Sequence, residues 1–278
     1  MAIALNTLNK RTGRDRPPII SIYGTGGVGK TTLALEFPEP LYLYTDGEAP
    51  PDGIGYTPAP IESYADLMDP DEGYFAQMLA GEHDFKTVVV DSADAFEPLL
   101  WAATCRRNGW DSIDSNDKGS PTAFGKGYLA ADDEWRDVMA AASAVARSGV
   151  YVIFILHSEA KSFNDPLVDS YDRYKPKLQK RAVDIVTEKS DALLFLNRRH
   201  TLKTIDGKGF GAKKETKPDG RSGEERQIHT DERAGFLAKN RMNLPATIPY
   251  KVGHGFTELS KHFRHTAAND NVAAREVA

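Results

Sequence analysis

A single cysteine, Cys105, in 278 residues excludes an intrachain disulfide and leaves no basis for a cysteine-ligated zinc site. A reducing compartment follows. Long apolar runs are missing too: none approaches the roughly 20 residues that a membrane-spanning helix needs. The opening Met1-Ala2-Ile3-Ala4-Leu5-Asn6 shows no basic leader ahead of an apolar core. The expectation is a soluble, cytoplasmic protein with no membrane partner. Positive charge is not in excess either, with 35 Lys/Arg against 40 Asp/Glu and a net charge of −5. That excludes a protein that coats polyanions with its whole surface. It leaves room for a local basic groove, because binding follows the arrangement of charge rather than its sum. What is present is ordinary for a globular chain: 40% hydrophobic and 27% charged residues, enough to build one large α/β domain or two small ones.

The most informative stretch is Gly24-Thr25-Gly26-Gly27-Val28-Gly29-Lys30-Thr31-Thr32. It matches the phosphate-binding pattern G-x-x-x-x-G-K-[ST] in full. The apolar run Ile19-Ile20-Ser21-Ile22-Tyr23 precedes it and Leu33-Ala34-Leu35-Glu36-Phe37 follows, which is the strand-then-helix setting the pattern requires. Glycines let successive backbone N–H groups turn towards phosphate oxygens, and the helix that starts near Lys30 adds its positive end. Lys30 is expected to reach the β- and γ-phosphates of ATP, and the Thr31 hydroxyl to ligate Mg²⁺.

Residues 1–18 carry Lys10, Arg11, Arg14 and Arg16 and close with Pro17-Pro18, which predicts a mobile or docking arm. A second strand, Leu41-Tyr42-Leu43-Tyr44-Thr45, ends at Asp46-Gly47-Glu48, and the proline-rich stretch 49–60 reads as loop. Asp69-Pro70-Asp71-Glu72 predicts a helix start capped by Asp69, with Tyr74, Phe75, Met78 and Leu79 inward and Gly81 as the stop. A third strand, Thr87-Val88-Val89-Val90, delivers Asp91-Ser92. An aspartate there suits Mg²⁺ held through its water shell. Residues 93–107 predict a helix, 109–127 a polar loop, and the apolar positions from Ala131 to Ala146 another helix. The most apolar strand, residues 150–156, places His157 beside Asp91. There it either senses the γ-phosphate and its attacking water or is simply hydrogen-bonded at a strand end. Residues 159–176 predict a polar loop with Lys161, Arg173 and Lys175 beside Phe163, Tyr171 and Tyr174. Cations for phosphates and rings for bases suit a nucleic-acid single strand, and an ordinary surface loop explains the same residues. Residues 180–189 predict a short helix, with neighbouring strands at 191–196 and 201–205. Nine Lys/Arg against five Asp/Glu from Arg198 to Arg226 form a basic island suited to phosphate contacts, or a solvated hairpin. Residues 266–278 predict a disordered tail.

Four of these landmarks, in this order, resemble the RecA/RadA recombinase superfamily. Asp46-Gly47-Glu48 is similar to the family's D-A-E, whose glutamate activates the hydrolytic water. Val88-Val89-Val90-Asp91-Ser92 resembles its metal-side strand, and residues 152–157 its strand ending in a γ-phosphate-sensing glutamine, with His157 in the glutamine's place. Lys239-Asn240-Arg241-Met242-Asn243-Leu244-Pro245 is similar to K-N-K-x-x-x-P, whose two cations reach a neighbouring subunit's nucleotide. Arg241 stands where the second lysine would be. The likeness covers about residues 19–250 and is greatest to the compact bacteriophage members, ATP-dependent single-strand annealing recombinases.

The resemblance implies a RecA-like α/β fold, a mostly parallel twisted sheet with helices on both faces, in one ATPase domain over residues 19–265. It implies ATP and Mg²⁺ as ligands, with Glu48 as the catalytic base and Asp46 in reserve. Lys239 and Arg241 would be supplied in trans, so the expected assembly is a homo-oligomeric ring or filament. Single-stranded DNA is the implied partner, with a single-strand-binding protein as a further one. Two rivals remain open at this point: a nucleotide-switched adaptor or helicase loader, and a small-molecule kinase.

Overall fold

The computed structural model describes residues 16–57, 59–199, 202–205, 215–218 and 225–263. The expected tail and residues 1–15 of the expected arm lie outside the described residues. The arm's last three residues are docked: Pro17 and Pro18 are buried, and Arg16 pairs with Asp191 at 2.9 Å.

In chain order the elements are β1 (Ile19–Gly24), α1 (Lys30–Leu35), β2 (Pro40–Tyr44), β3 (Gly55–Tyr56), α2 (Tyr64–Met68), α3 (Tyr74–Ala80) and β4 (Thr87–Asp91). There follow α4 (Ala93–Asn108), α5 (Lys126–Arg147), β5 (Tyr151–Phe163), β6 (Tyr171–Pro176), α6 (Lys180–Lys189) and β7 (Ala192–Arg198). The chain closes with β8 (Leu202–Ile205), β9 (Glu215–Pro218), β10 (Arg226–His229), β11 (Lys239–Asn240), β12 (Thr247–Tyr250) and α7 (Gly255–Ser260). One ten-stranded sheet has the order β12-β10-β7-β1-β5-β4-β2-β3, with β11 also on β7 and β6 on β5. The strands from β7 to β3 run parallel, whereas β10, β11, β12 and β6 are antiparallel additions.

The central strands read as near-continuous apolar runs because both faces of the sheet are covered. Alternation then divides each run between two layers. Ile19, Tyr23, Val88, Val90, Val152, Phe154 and Leu156 pack against α4, α5 and α6 through side chains such as Phe96, Leu100, Trp135 and Val183. Ile20, Ile22, Val89, Ile153 and Ile155 face the other way, onto Leu33, Ala34, Phe37 and Leu259 of the α1 and α7 side. This is the RecA-like P-loop NTPase fold, a mostly parallel mixed sheet with helices on both faces.

Several local expectations are corrected. Asp69 does not cap a helix start. It is the C-cap of α2, whose own N-cap is Ser63 in a reciprocal capping box with Asp66, and α3 begins only after Gly73. The Asp69 carboxylate instead accepts from the amides of Asp71 and Glu72, both at 3.0 Å, the same local chemistry spent on a turn. Leu79, expected inward, is exposed. The stretch 159–176 is not a loop but the outer half of a β5–β6 hairpin, paired from Ser158↔Pro176 to Phe163↔Tyr171. The strand expected over residues 201–205 is described as β8 over Leu202–Ile205, and it does not neighbour β7 but pairs with β9 in a separate two-stranded sheet.

Candidate nucleotide site

The parallel strands all deliver their C-terminal ends to one edge, where open α/β sheets bind ligands. Gly24 closes β1 and stands in register with His157 of β5 and Leu196 of β7. Gly24 is buried against the Leu196 carbonyl and has no room for a Cβ. Thr25, Gly26 and Gly27 then lie exposed on the rim, Val28 anchors the loop in the core, and Gly27 and Gly29 take φ of 70° and 101°. Those left-handed values are ones that side chains rarely tolerate, which explains the glycines. Thr32 is exposed in the first turn of α1.

Lys30 is buried and folds back over the loop, its ammonium donating to the Gly24 and Thr25 carbonyls at 3.2 Å each. Burial lowers its pKa, opposed by the negative charges of Asp91, Asp94 and Glu48. The Thr31 hydroxyl donates to Asp91 Oδ2 at 2.7 Å, and the Tyr42 hydroxyl donates to the same oxygen at 2.9 Å. Burial raises the Asp91 pKa, while the two hydroxyl hydrogen bonds and Lys30 pull it down. Asp91 is joined to Ser92 by a cis peptide bond.

On the β5 side stands a line of three groups. His157 Nδ1 is 3.0 Å from Asp94 Oδ2, its backbone N–H donates to Asp94 Oδ1 at 2.9 Å, and its Nε2 lies 4.0 Å from Glu48 Oε1. The Asp94 hydrogen bond holds the imidazole pKa above its ordinary value. Burial alone would raise Asp94, but its bonds from the His157 side chain and backbone outweigh that and leave it depressed. Glu48 is raised, first by burial and then by Asp91 nearby, with His157 and Lys30 opposing. A carboxylate with enhanced proton affinity, half-buried beside a phosphate-binding loop, has the properties of a general base. Asp46 is exposed, and of the two acids it is Glu48 that the chain turns towards Lys30 and His157.

Asp94 and Tyr42 were not singled out from sequence. The available signal for Asp94 was its place one residue inside the helix that follows Asp91, a position where an acid is common for helix-start reasons alone. Asp94→Asn is expected to return the His157 titration towards about 6.5, followed by imidazole NMR. With Asp94 present, the raised histidine contributes stability below the unfolded value that is lost as pH rises through the folded one. The variant is expected to lose that pH dependence.

Lys239 and Arg241 are not brought to this edge. β11 pairs with Leu193 and Ala192, at the start of β7, whereas the loop begins at the level of Leu196. Four residues of parallel strand separate them, about 13 Å. The Lys239 ammonium donates to the Glu188 and Ser190 carbonyls at 2.6 and 3.1 Å, and to Thr187, capping the C-terminus of α6. Burial, then Arg241 nearby, lowers its pKa to about 8. Arg241 is exposed, its backbone N–H held by the Asp191 carbonyl at 3.0 Å.

Thr31 and Asp91 fit a divalent cation: a hydroxyl that donates its hydrogen bond to the carboxylate keeps its lone pairs available to a metal. Among the described residues no group of three or more His, Cys, Asp or Glu could hold a metal by itself, so the phosphates would have to share the coordination. No helix among the described residues is long and apolar enough to cross a membrane.

Among curated proteins the chain is similar to the SPbeta prophage-derived uncharacterized protein YorG of Bacillus subtilis (strain 168), with 26% identity over 180 residues. The match takes in 64% of this chain and 50% of that protein, so the chain spans about half the length of the relative. Among solved structures it is similar to the flagellar accessory protein FlaH from Methanocaldococcus jannaschii, 11% identical with a TM-score of 0.39, covering 85% of this chain and 86% of that one. A family model for an AAA domain, AAA_24, matches residues 16–242, from the docked arm through β1 and the phosphate loop to just beyond Arg241. The chain belongs to the AAA_24 family of P-loop NTPases.

Proposed function

We propose that the protein is a Mg²⁺-dependent ATPase that binds single-stranded DNA and acts in strand annealing or recombination, as an oligomer with nucleotide between subunits. The observation that carries this reading is the connection between site and hairpin. His157, tied to Asp94 and facing Glu48, sits on the same strand whose outer half bears the basic and aromatic residues. The prophage derivation of the relative YorG agrees with a phage source.

Lys30 and the loop amides would hold the triphosphate, and Thr31 with Asp91 would hold Mg²⁺. The ion, when bound, would neutralise charge on the β- and γ-phosphates. Glu48 would orient and deprotonate the attacking water. His157, kept protonated to higher pH by Asp94, would donate from Nε2 towards the γ-phosphate. Arg241 would come from the adjacent protomer. Lys239 has the same role in the resemblance, but its hold on the end of α6 suits it to fixing the base of that loop.

A cleft of about 700 Å³ lies between the hairpin and α6, with Lys161, Phe163, Arg173, Lys175 and Lys180 among its walls. The Arg173 guanidinium lies 4.4 Å from the Phe163 ring centroid. Glu159 pairs with both Lys161 and Lys175 at 3.2 Å, and Glu232 with Arg173 at 2.7 Å. Phosphates would exchange with these carboxylates, so affinity should be modest and strongly salt-dependent. A second reading, a nucleotide-switched protein adaptor, is favoured by the hairpin tip, where Leu167 and Val168 are 89% and 58% exposed.

Steady-state ATP hydrolysis with and without Mg²⁺ and single-stranded DNA, at two salt concentrations, tests the proposal. Stimulation by DNA that fades with salt is expected. Turnover indifferent to DNA would transfer the weight to the adaptor. In the same assay Lys30→Ala is expected to lower turnover by about 10²–10³-fold, the usual consequence of removing one preorganised charge-stabilising donor. Normal turnover in that variant would overturn the loop assignment.

A further inference from the structure

The phosphate loop has a second cationic wall that belongs to its own chain. Arg198 ends β7 and Arg226 begins β10, and the two are direct cross-strand partners in an antiparallel pair. Arg198 Nη2 approaches the Gly27 carbonyl at 3.4 Å. The Arg226 guanidinium lies over Gly29, with Nη1 and Cζ 3.2 and 3.3 Å from where a Cβ at that residue would stand. Its Cζ is also 6.0 Å from the centroid of the Tyr250 ring, and Tyr250 in turn donates to Glu36 at the end of α1. Arg226 is partly buried and Arg198 exposed.

We propose that Arg198 and Arg226 form a clamp, supplied in cis, on the phosphates that ATP and ADP share. This rests on the nucleotide-binding reading of the loop. Two guanidinium groups in direct register bring their positive charge to one place beside the loop, where a single anion can meet both. Guanidinium groups present planar forks of donors suited to phosphate oxygens. The sheet order fixes which part of the chain they meet. Asp91 and His157 lie on β4 and β5, to one side of β1, whereas the two arginines lie on β7 and β10, to the other. The γ-phosphate belongs with Asp91, Glu48 and His157, which leaves the α- and β-phosphates to the arginines. Arg199, the next residue, is paired with Glu225 at 3.0 Å, and it is Arg198 and Arg226 that approach the Gly27 carbonyl and Gly29.

The test is equilibrium binding of fluorescent ATP and ADP analogues to the full chain and to Arg198→Ala, Arg226→Ala and Arg226→Lys, with the melting temperature of each protein taken without nucleotide. Both alanine variants are expected to bind ATP and ADP alike about 10- to 100-fold more weakly, the usual effect of losing a charged hydrogen bond. Arg226→Lys should recover part of the loss, and the nucleotide-free melting temperatures should not fall below the wild-type value. Unchanged affinities would overturn the clamp. So would weakened binding that follows a lowered melting temperature and is not recovered by lysine, since the arginines would then only support the loop. Failure of wild-type protein to bind either nucleotide would remove the underlying reading instead. Loss of binding in Lys30→Ala with full binding in both arginine variants would leave that reading intact and end the clamp alone.

Discussion

Arg241→Ala is expected to reduce ATP turnover by about 10³–10⁵-fold, the range over which a supplied arginine accelerates phosphoryl transfer, with little change in ATP affinity. The size of the effect follows from where the residue stands. It stands beside the start of β7, roughly four residues of strand away from its own loop, so it is not expected to contribute to binding within one chain. In the proposed shared site its guanidinium would act on a neighbour's nucleotide, where it would meet charge that develops on the transferring phosphate. Steady-state turnover beside equilibrium ATP binding measures the two quantities separately. Turnover that survives the substitution would mean that the site is complete within a single chain.

Glu48→Gln is expected to cost about 10²–10⁴-fold in turnover, the usual worth of a positioned general base. Glutamine keeps the shape and a hydrogen-bond acceptor but cannot take a proton. The raised proton affinity of Glu48 predicts a wild-type rate that falls as pH drops, with its midpoint above the ordinary glutamate range. In Glu48→Gln that limb should disappear. The two variants also test each other. Mixed in one assembly, Arg241→Ala and Glu48→Gln subunits should regain part of the lost rate, because some boundaries would join an intact base to an intact cation. No recovery in assemblies shown to be mixed would contradict shared sites. Retention of the acid limb in Glu48→Gln would reassign the base.

The nucleotide site was legible to the extent that it is local. The phosphate loop, the strand ending in Asp91 and the acid pair after β2 are short contiguous patterns whose neighbours in sequence are also their neighbours in space. The partners that complete them are not. Tyr42 reaches Asp91 across a strand pairing, and Arg198 and Arg226 reach the loop from β7 and β10, nearly two hundred residues along the chain. No local periodicity encodes such meetings. The outer half of β5 is illegible for a different reason: with both faces exposed, Ala160 to Phe163 lacks the apolar alternation that marks a half-buried strand. Asp69 was misplaced because one carboxylate accepting two following amides looks the same in sequence whether a helix or a turn comes next.

The unusual length of β5 gives the molecule a lever. Val152 to His157 are held in the sheet, and Ala160 is the last level tied to the body by main-chain groups, through its partner Tyr174, which bonds Gly235, Leu237 and Tyr23; Lys161 to Phe163 project beyond that level. Three residues separate Ala160 from Phe163, about 10 Å of strand, so a tilt of roughly 20° at that level sweeps Phe163 through about 3.5 Å. That is the thickness of a stacked base. If a nucleic-acid strand lies along the hairpin as proposed, a bend at that level would open or close one nucleotide's worth of space at its outer end while leaving the buried strands of the sheet in place.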